Sequence, residues 1–299
     1  MQKLPKSVRI GVPSNGLTKP ENFFVEVLNH ATSLDLRPNL YGSDAGYCPR
    51  KNFFYAKLEG QSEVFSATNK IYMGIGNGIE EVLAESLEQE NRLFFTNLYL
   101  PPMEPIVRGK IDFVYLNENN QIAIAELKTC GQLPTSPKPN HLAQLATYSA
   151  VAGYDICNLI YISRNVTDPA KPFGTLAIKV FPVKFSFDEH VETLAKIVMS
   201  ERAIQNEIAP PIPNAFYKTT TCSYCPFTDI CWGEKENPFP EMVPGQLTKE
   251  WIAAKEIAEG LAVNRKARYI ASLRHLYRNI DNQALKNKLI QEVELFETF

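Results

Sequence analysis

No stretch of this 299-residue chain approaches the ~18 uncharged apolar residues that a membrane helix requires, so no membrane partner is expected. The N-terminal run from Met1 to Gly16 lacks the apolar core and small-residue cleavage site of a secretory signal, and a cytoplasmic location follows as the expectation. Internal repeats, low-complexity tracts and long flexible linkers are also missing. There is no Gly-x4-Gly-Lys-[Ser/Thr] phosphate loop, so the chain cannot fuel unwinding of a duplex by itself. Excess charge is lacking too: the net charge is −2, and any affinity for nucleic acid must come from local basic patches. What is present is ordinary for a globular protein. Apolar residues make up 44% and charged residues 21%, which excludes a disordered or fibrous chain, and 33.7 kDa allows one large domain or two small ones. Six cysteines in a cytosolic chain are no disulfide framework; spacing like theirs points to a metal or a cluster.

Residues 1–40 read as an N-terminal segment with a strand-like run, Val8 to Val12, and a helix opened by Pro20 and Glu21. Residues 41–236 mix helix signals at 72–90, 139–153 and 187–206 with strand signals at 108–116, 121–129, 156–163 and 175–185. A proline-rich passage (Pro238, Pro240, Pro244) precedes a helical C-terminal extension over 245–299. A hairpin followed by a helix and more strands predicts an α/β fold, a mixed central sheet flanked by helices.

The hairpin carries the charges. Arg108 to Tyr115 and Gln121 to Thr129 read as strands around the turn residues Asn117-Glu-Asn-Asn120. If the turn centres on Asn119, Asp112 stands opposite Glu126, where Cβ atoms of a pair lie only ~4.5–5.5 Å apart. Strand alternation sets Lys128 on the same face as Glu126. An acid-x-lysine triplet is common and carries little weight alone; its placement across from Asp112 gives it weight. Two carboxylates and a lysine at the edge of an apolar strand are costly unless a cation bridges them. Upstream, Glu80 shares a helical stripe with Ile79, Leu83, Ala84 and Leu87, whereas Glu81, Glu85 and Glu88 form an ordinary solvated face. A carboxylate on an apolar stripe wants a partner, and a shared metal is one candidate; a solvated residue in a frayed first turn is the other reading. Downstream, Gln144 and Tyr148 are four apart and share a face with Val151. Such a pair suits a phosphate backbone or a catalytic water, although Tyr148 by itself reads as a core aromatic.

Cys222-x2-Cys225-x5-Cys231 joins with the remote Cys48 to offer four thiolates, enough for a structural zinc or an iron–sulfur cluster. One Cys-x2-Cys pair instead of two favours the cluster. Cys130 and Cys157 end or begin strand runs and read as small core residues.

In order, Cys48-Pro-Arg-Lys, Gly76-x3-Glu80, Gly109-x2-Asp112, Glu126-x-Lys128, Gln144-x3-Tyr148 and Cys222-x2-Cys225-x5-Cys231 resemble the RecB-like, iron–sulfur branch of the PD-(D/E)XK nuclease superfamily, in particular CRISPR-associated exonucleases and phage-borne relatives. The resemblance implies a restriction-endonuclease-like core with an iron–sulfur lobe, whose 4Fe-4S cluster on Cys48, Cys222, Cys225 and Cys231 stabilises the fold without redox chemistry. It also implies Mg2+ or Mn2+ held by Asp112, Glu126 and the backbone carbonyl of Leu127. Where the branch usually has a histidine, this chain has Glu80, and an all-oxygen ligand set tilts the preference toward Mg2+.

The expected activity is metal-dependent hydrolysis of DNA phosphodiesters at single strands or ends, in CRISPR adaptation, phage or mobile-element recombination, or repair. Asp112, Glu126 and Glu80 hold the metal, Lys128 orients water or stabilises developing charge, and Gln144 and Tyr148 position the strand. Expected phosphate contacts are Arg50 and Lys51, beside Cys48, and Arg274 and Arg278. The last two lie in a stretch from Gly260 to Ile280 that holds Arg265, Lys266 and Arg268 but no acid, and in which Ile270, Leu273 and Tyr277 are expected to face the body. A helicase, integrase or other nucleic-acid-processing subunit is the expected kind of protein partner. The alternative from another class is a DNA-binding or scaffold subunit with a weakened centre.

Overall fold

The computed structural model describes residues 40–58, 67–100, 107–167, 176–212, 222, 225–233 and 235–297. The strand and helix expected before residue 40 lie outside these residues.

In chain order the elements are β1 (Leu40–Tyr41), a 3-10 turn (Gly42–Gly46), α1 (Pro49–Lys57), α2 (Ala67–Gln89), β2 (Leu93–Tyr99), β3 (Val107–Arg108), β4 (Lys110–Leu116), β5 (Ile122–Cys130), α3 (Pro139–Ala152), β6 (Cys157–Thr167), β7 (Leu176–Val183), α4 (Phe187–Asn206), α5 (Thr228–Cys231), α6 (Pro244–Val263), α7 (Arg265–Asn279) and α8 (Gln283–Glu297). Five strands form a mixed sheet in the order β2-β4-β5-β6-β7; β5 and β6 are parallel and the other neighbours antiparallel. A parallel neighbour needs a crossover, and α3 supplies it. The hairpin turn closes as its residues dictate. Asn117 Oδ1 accepts the N–H groups of Asn119 and Gln121, and Asn120 takes a left-handed φ of 55°.

Each face of the sheet is covered. On one, Ile79, Leu83, Ala84 and Leu87 of α2 pack on Leu93, Phe113, Ala125 and Leu127. On the other, Leu145, Tyr148 and Ala152 of α3 pack with Tyr269, Leu273 and Leu276 of α7 on Ile111, Ile122, Ile124 and Leu159. The helices after the proline-rich passage therefore enter the core. Ala254, Ala258 and Ala262, one turn apart on α6, admit close approach to Val191, Leu194 and Val198 of α4.

Two of the arginines in the acid-free stretch are structural. Arg265 donates to the carbonyls of Ser149, Gly153 and Tyr154 and pairs with Asp155 at 2.7 Å. Arg268 donates to the carbonyls of Val151 (2.9 Å), Ala150 (2.8 Å) and Leu261 (2.6 Å). The last carbonyls of α3 have no intrahelical partners, and cations at that end also meet the negative pole of the helix. Gly153 completes the C-terminus with a φ of 88°; a Cβ there would lie 2.5 Å from the carbonyl oxygen of Arg265. Tyr277 is 41% exposed and does not face the body as its spacing predicts; Tyr269 and Leu276 take the buried positions beside Leu273.

Replacing Arg268 with Ala strips three carbonyls of their donor. The loss should be on the order of 1–3 kcal/mol in denaturant unfolding, and an unchanged midpoint would show that α3 does not depend on this clamp.

Candidate active site

The β4–β5 ladder runs to Phe113–Ala125, in the register expected from a turn centred on Asn119. Asp112 and Glu126 occupy the next position. There the carboxylate of Asp112 accepts the backbone N–H of Leu127 at 2.7 Å. Glu126 is 2% exposed. Its Oε1 accepts from Lys128 Nζ at 2.6 Å and from Gln144 Nε2 at 2.7 Å. Gln144 Nε2 also reaches the Tyr148 hydroxyl at 2.9 Å, so β5 and α3 are linked through one amide.

Tyr148 sits in a seat that only glycine permits. A Cβ at Gly42 would lie 2.4 Å from Tyr148 Cε1, and one at Gly109 would lie 3.0 Å from it. Glu80 belongs to the middle of α2, not to a frayed first turn, and its Oε1 accepts from Asn97 Nδ2 at 2.6 Å. Asn97 has a left-handed φ of 53° within β2. That strand, Leu-Phe-Phe-Thr-Asn-Leu-Tyr, escaped the sequence reading although its aromatic content is a strand signal.

Glu80, Asp112, Glu126, Leu127 and Lys128 line one cleft of about 520 Å³ together with Gly76, Thr129, Tyr72, Met73, Asn77 and Arg164. The electrostatics follow from burial. Desolvation raises Asp112 well above the ordinary carboxylate range, and the neighbouring Glu126 charge adds to it. Desolvation also raises Glu126, opposed by Lys128. Burial works against the Lys128 ammonium, yet the charge and hydrogen bond of Glu126 hold its pKa above that of an ordinary lysine. Tyr148 is pushed far up by burial and by Glu126, so it acts as a neutral phenol.

Two features test whether a cation fits. The second carboxylate oxygen of Glu126, Oε2, is buried without a hydrogen-bond partner, and an unsatisfied charged oxygen is what a bound ion would satisfy. Three oxygen-bearing groups, Glu80, Asp112 and Glu126, share the cleft, a donor set suited to a hard divalent ion. Among the described residues, however, no three His, Cys, Asp or Glu side chains are drawn together into a formed metal-binding group. The donors are assembled; the coordination shell is not closed.

The cysteines form a second locus. All four expected ligands are free thiols, with Cys48 capping the N-terminus of α1. Burial raises Cys48 and Cys225 and pushes Cys231 up to about 11, with smaller effects among the thiols: Cys222 on Cys48 and Cys225, Cys48 on Cys225 and Cys231. Thr228 Oγ1 donates to the carbonyls of Cys222 and Cys225, fixing the loop. Phe227 packs against Phe54 and Tyr55 of α1. As with the carboxylates, these thiols are neighbours and not a closed shell. Cys130 and Cys157 are buried in the core as expected.

One expected phosphate contact is corrected. Arg50 is fully buried; its guanidinium donates to the Pro210 carbonyl and pairs with Glu241, both at 2.7 Å, so it braces α1 and cannot reach a phosphate. Lys51 lies over the rings of Tyr47 and Tyr55. Arg274 and Arg278 are exposed on α7 and line a groove with Tyr277 and Glu294, away from the carboxylate cleft.

A mixed sheet whose central hairpin carries Asp, Glu and Lys in one cleft is the framework of a metal-dependent nuclease. The sequence model of the PD-(D/E)XK nuclease superfamily matches residues 79–232, and the chain belongs to that superfamily. No curated protein matches the chain. Among solved structures, the crystal structure of SSO0001 is similar at 19% identity, covering 72% of this chain and 96% of that one with a TM-score of 0.46.

A carboxylate whose folded pKa is raised opposes folding once it ionises. Without divalent metal, stability should therefore fall as pH rises from the unfolded value near 4.5 through the raised pKa of Glu126. Glu126→Gln should flatten that fall in unfolding experiments run with a chelator, and equal slopes for the two proteins would contradict the assigned burial.

Proposed function

We propose that this chain is a metal-dependent deoxyribonuclease of exonuclease type, acting on single strands or ends. The observation that carries the reading is the buried Glu126, with one oxygen committed to Lys128 and Gln144 and the other left without a partner. Glu80, Asp112, Glu126 and the carbonyl of Leu127 are the groups that would hold Mg2+ or Mn2+. The ion would supply positive charge to polarise the scissile phosphate and to acidify a water.

The chain's own residues do the remaining work. Lys128 keeps its proton and faces the cleft, where it orients the attacking water or stabilises the charge that develops on the phosphate. Gln144 fixes the direction of the Glu126 carboxylate and, through Tyr148, ties it to the glycine-lined seat. Cys48, Cys222, Cys225 and Cys231 would be the donors for a 4Fe-4S cluster that clamps α1 to the segment around α5; the Cys-x2-Cys-x5-Cys spacing with the remote Cys48 carries this reading. Lys51, Arg274 and Arg278 are further candidate phosphate contacts. A setting in CRISPR adaptation, phage or mobile-element recombination, or repair, with a helicase or integrase as partner, is consistent with a nuclease sequence that carries no phosphate-loop motif.

Labelled single-stranded DNA incubated with Mg2+ tests the reading. Wild-type protein should cleave it, Glu126→Gln should not, and Lys128→Ala should lose roughly 10²–10³-fold in turnover. Because it leaves the buried Glu126 charge without its ion-pair partner, Lys128→Ala should also unfold more easily, whereas Glu126→Gln should not. Undiminished cleavage by both variants would refute the assignment. Anaerobic preparations should be brown with close to ~4 irons per chain; colourless, active protein with stoichiometric zinc would replace the cluster by a zinc site.

A further inference from the structure

The cleft has a rim that the chemistry above does not use. Tyr72 and Met73 of α2 line it and are 39% and 56% exposed. Arg164 of β6 lines it too, with its guanidinium carbon 3.7 Å from the centre of the Tyr72 ring. This is a close cation–π contact. No carboxylate among the described residues pairs with Arg164. Space is left for it: a Cβ at Gly131 would lie 3.2 Å from Arg164 Nη2. Lys128, the other cation lining the cleft, is already bound to Glu126. Arg164 therefore presents its donors to whatever enters, while its contact with Tyr72 holds the guanidinium at the rim.

We propose that Tyr72, Met73 and Arg164 form a landing platform for one unpaired nucleotide of single-stranded DNA next to the scissile phosphate, the base resting on the open side of the pair and the phosphate on Arg164. The proposal rests on the nuclease reading and names the form of substrate the cleft takes. Two physical facts select a single strand. Aromatic and guanidinium planes bind the faces of bases, and in a duplex those faces are covered by neighbouring pairs. The rim also continues into the cleft that holds Asp112 and Glu126, so a strand seated on it passes directly over the carboxylates. Among the described residues, Tyr72 and Met73 belong to none of the hydrophobic clusters.

The test compares binding of a labelled single-stranded oligonucleotide and a blunt duplex of the same sequence to the full chain, with Ca2+ in place of Mg2+ to neutralise the acidic cleft. Tyr72→Ala should weaken single-strand binding roughly tenfold or more and leave duplex binding unchanged, whereas Tyr72→Phe should match wild type. Arg164→Gln should lower the log–log salt slope on single strands by about 0.7. Arg164→Lys should keep the slope but lose affinity, because it keeps the charge and not the plane. An abasic position scanned along the strand should weaken wild type at one place and cost Tyr72→Ala nothing further there, a coupling that a merely structural role cannot produce. Equal losses on both DNA forms, or variants that bind like wild type, would overturn the platform. Cleavage with Mg2+ by wild type in the same series separates the two ideas: active wild type with indifferent rim variants sinks the platform alone, and inactive wild type sinks the nuclease reading.

Discussion

One buried carboxylate organises this molecule. Glu126 lies at the end of the apolar run of the central strand, where burying a charge is expensive unless every oxygen finds a partner. One oxygen is held by Lys128 and Gln144 and the other is left open. The strand before it, the helix over it and the glycines behind that helix are arranged around this residue. Each arrangement costs stability that an ordinary core would not spend, which is the expected mark of a functional centre.

The helix over the site is fixed at two places. Past its midpoint, Gly42 and Gly109 leave room for the Tyr148 ring, and Tyr148 in turn holds the amide that steers Glu126. At its C-terminus, Arg265 and Arg268 of α7 bind the otherwise unpaired carbonyls. Residues more than a hundred positions apart in the chain thus set the orientation of one carboxylate. The C-terminal helices belong to the support of the site.

Much of this was legible in the sequence because local rules and the global fold agree. The turn chemistry of Asn117 to Asn120 fixed the register, and the register fixed the opposition of Asp112 and Glu126. The i, i+4 spacing put Gln144 beside Tyr148. Other features depend on tertiary placement and could not be read locally. Arg50 looks like a surface cation beside Lys51, yet it is buried, and Pro210 and the half-exposed Glu241, far along the chain, take its guanidinium. Arg265 and Arg268 look like part of a basic patch, but the end of a helix formed by other residues claims them. Arg164 lines the cleft, and Asn97 holds Glu80 of its lining, from strand positions that no spacing rule locates. A lone arginine after an otherwise apolar strand run was the available signal for Arg164, and the aromatic run around Asn97 was the signal for β2.

The central claim is that the open oxygen of Glu126 is reserved for a divalent cation shared with Asp112. Crystals of the wild-type protein soaked in Mn2+ and measured for anomalous scattering test it most directly. The account predicts one strong peak within bonding distance of Glu126 Oε2 and an Asp112 carboxylate oxygen, abolished in Glu126→Gln. An unoccupied cleft at saturating Mn2+, or Mn2+ bound at other carboxylates and not at these two, would contradict it.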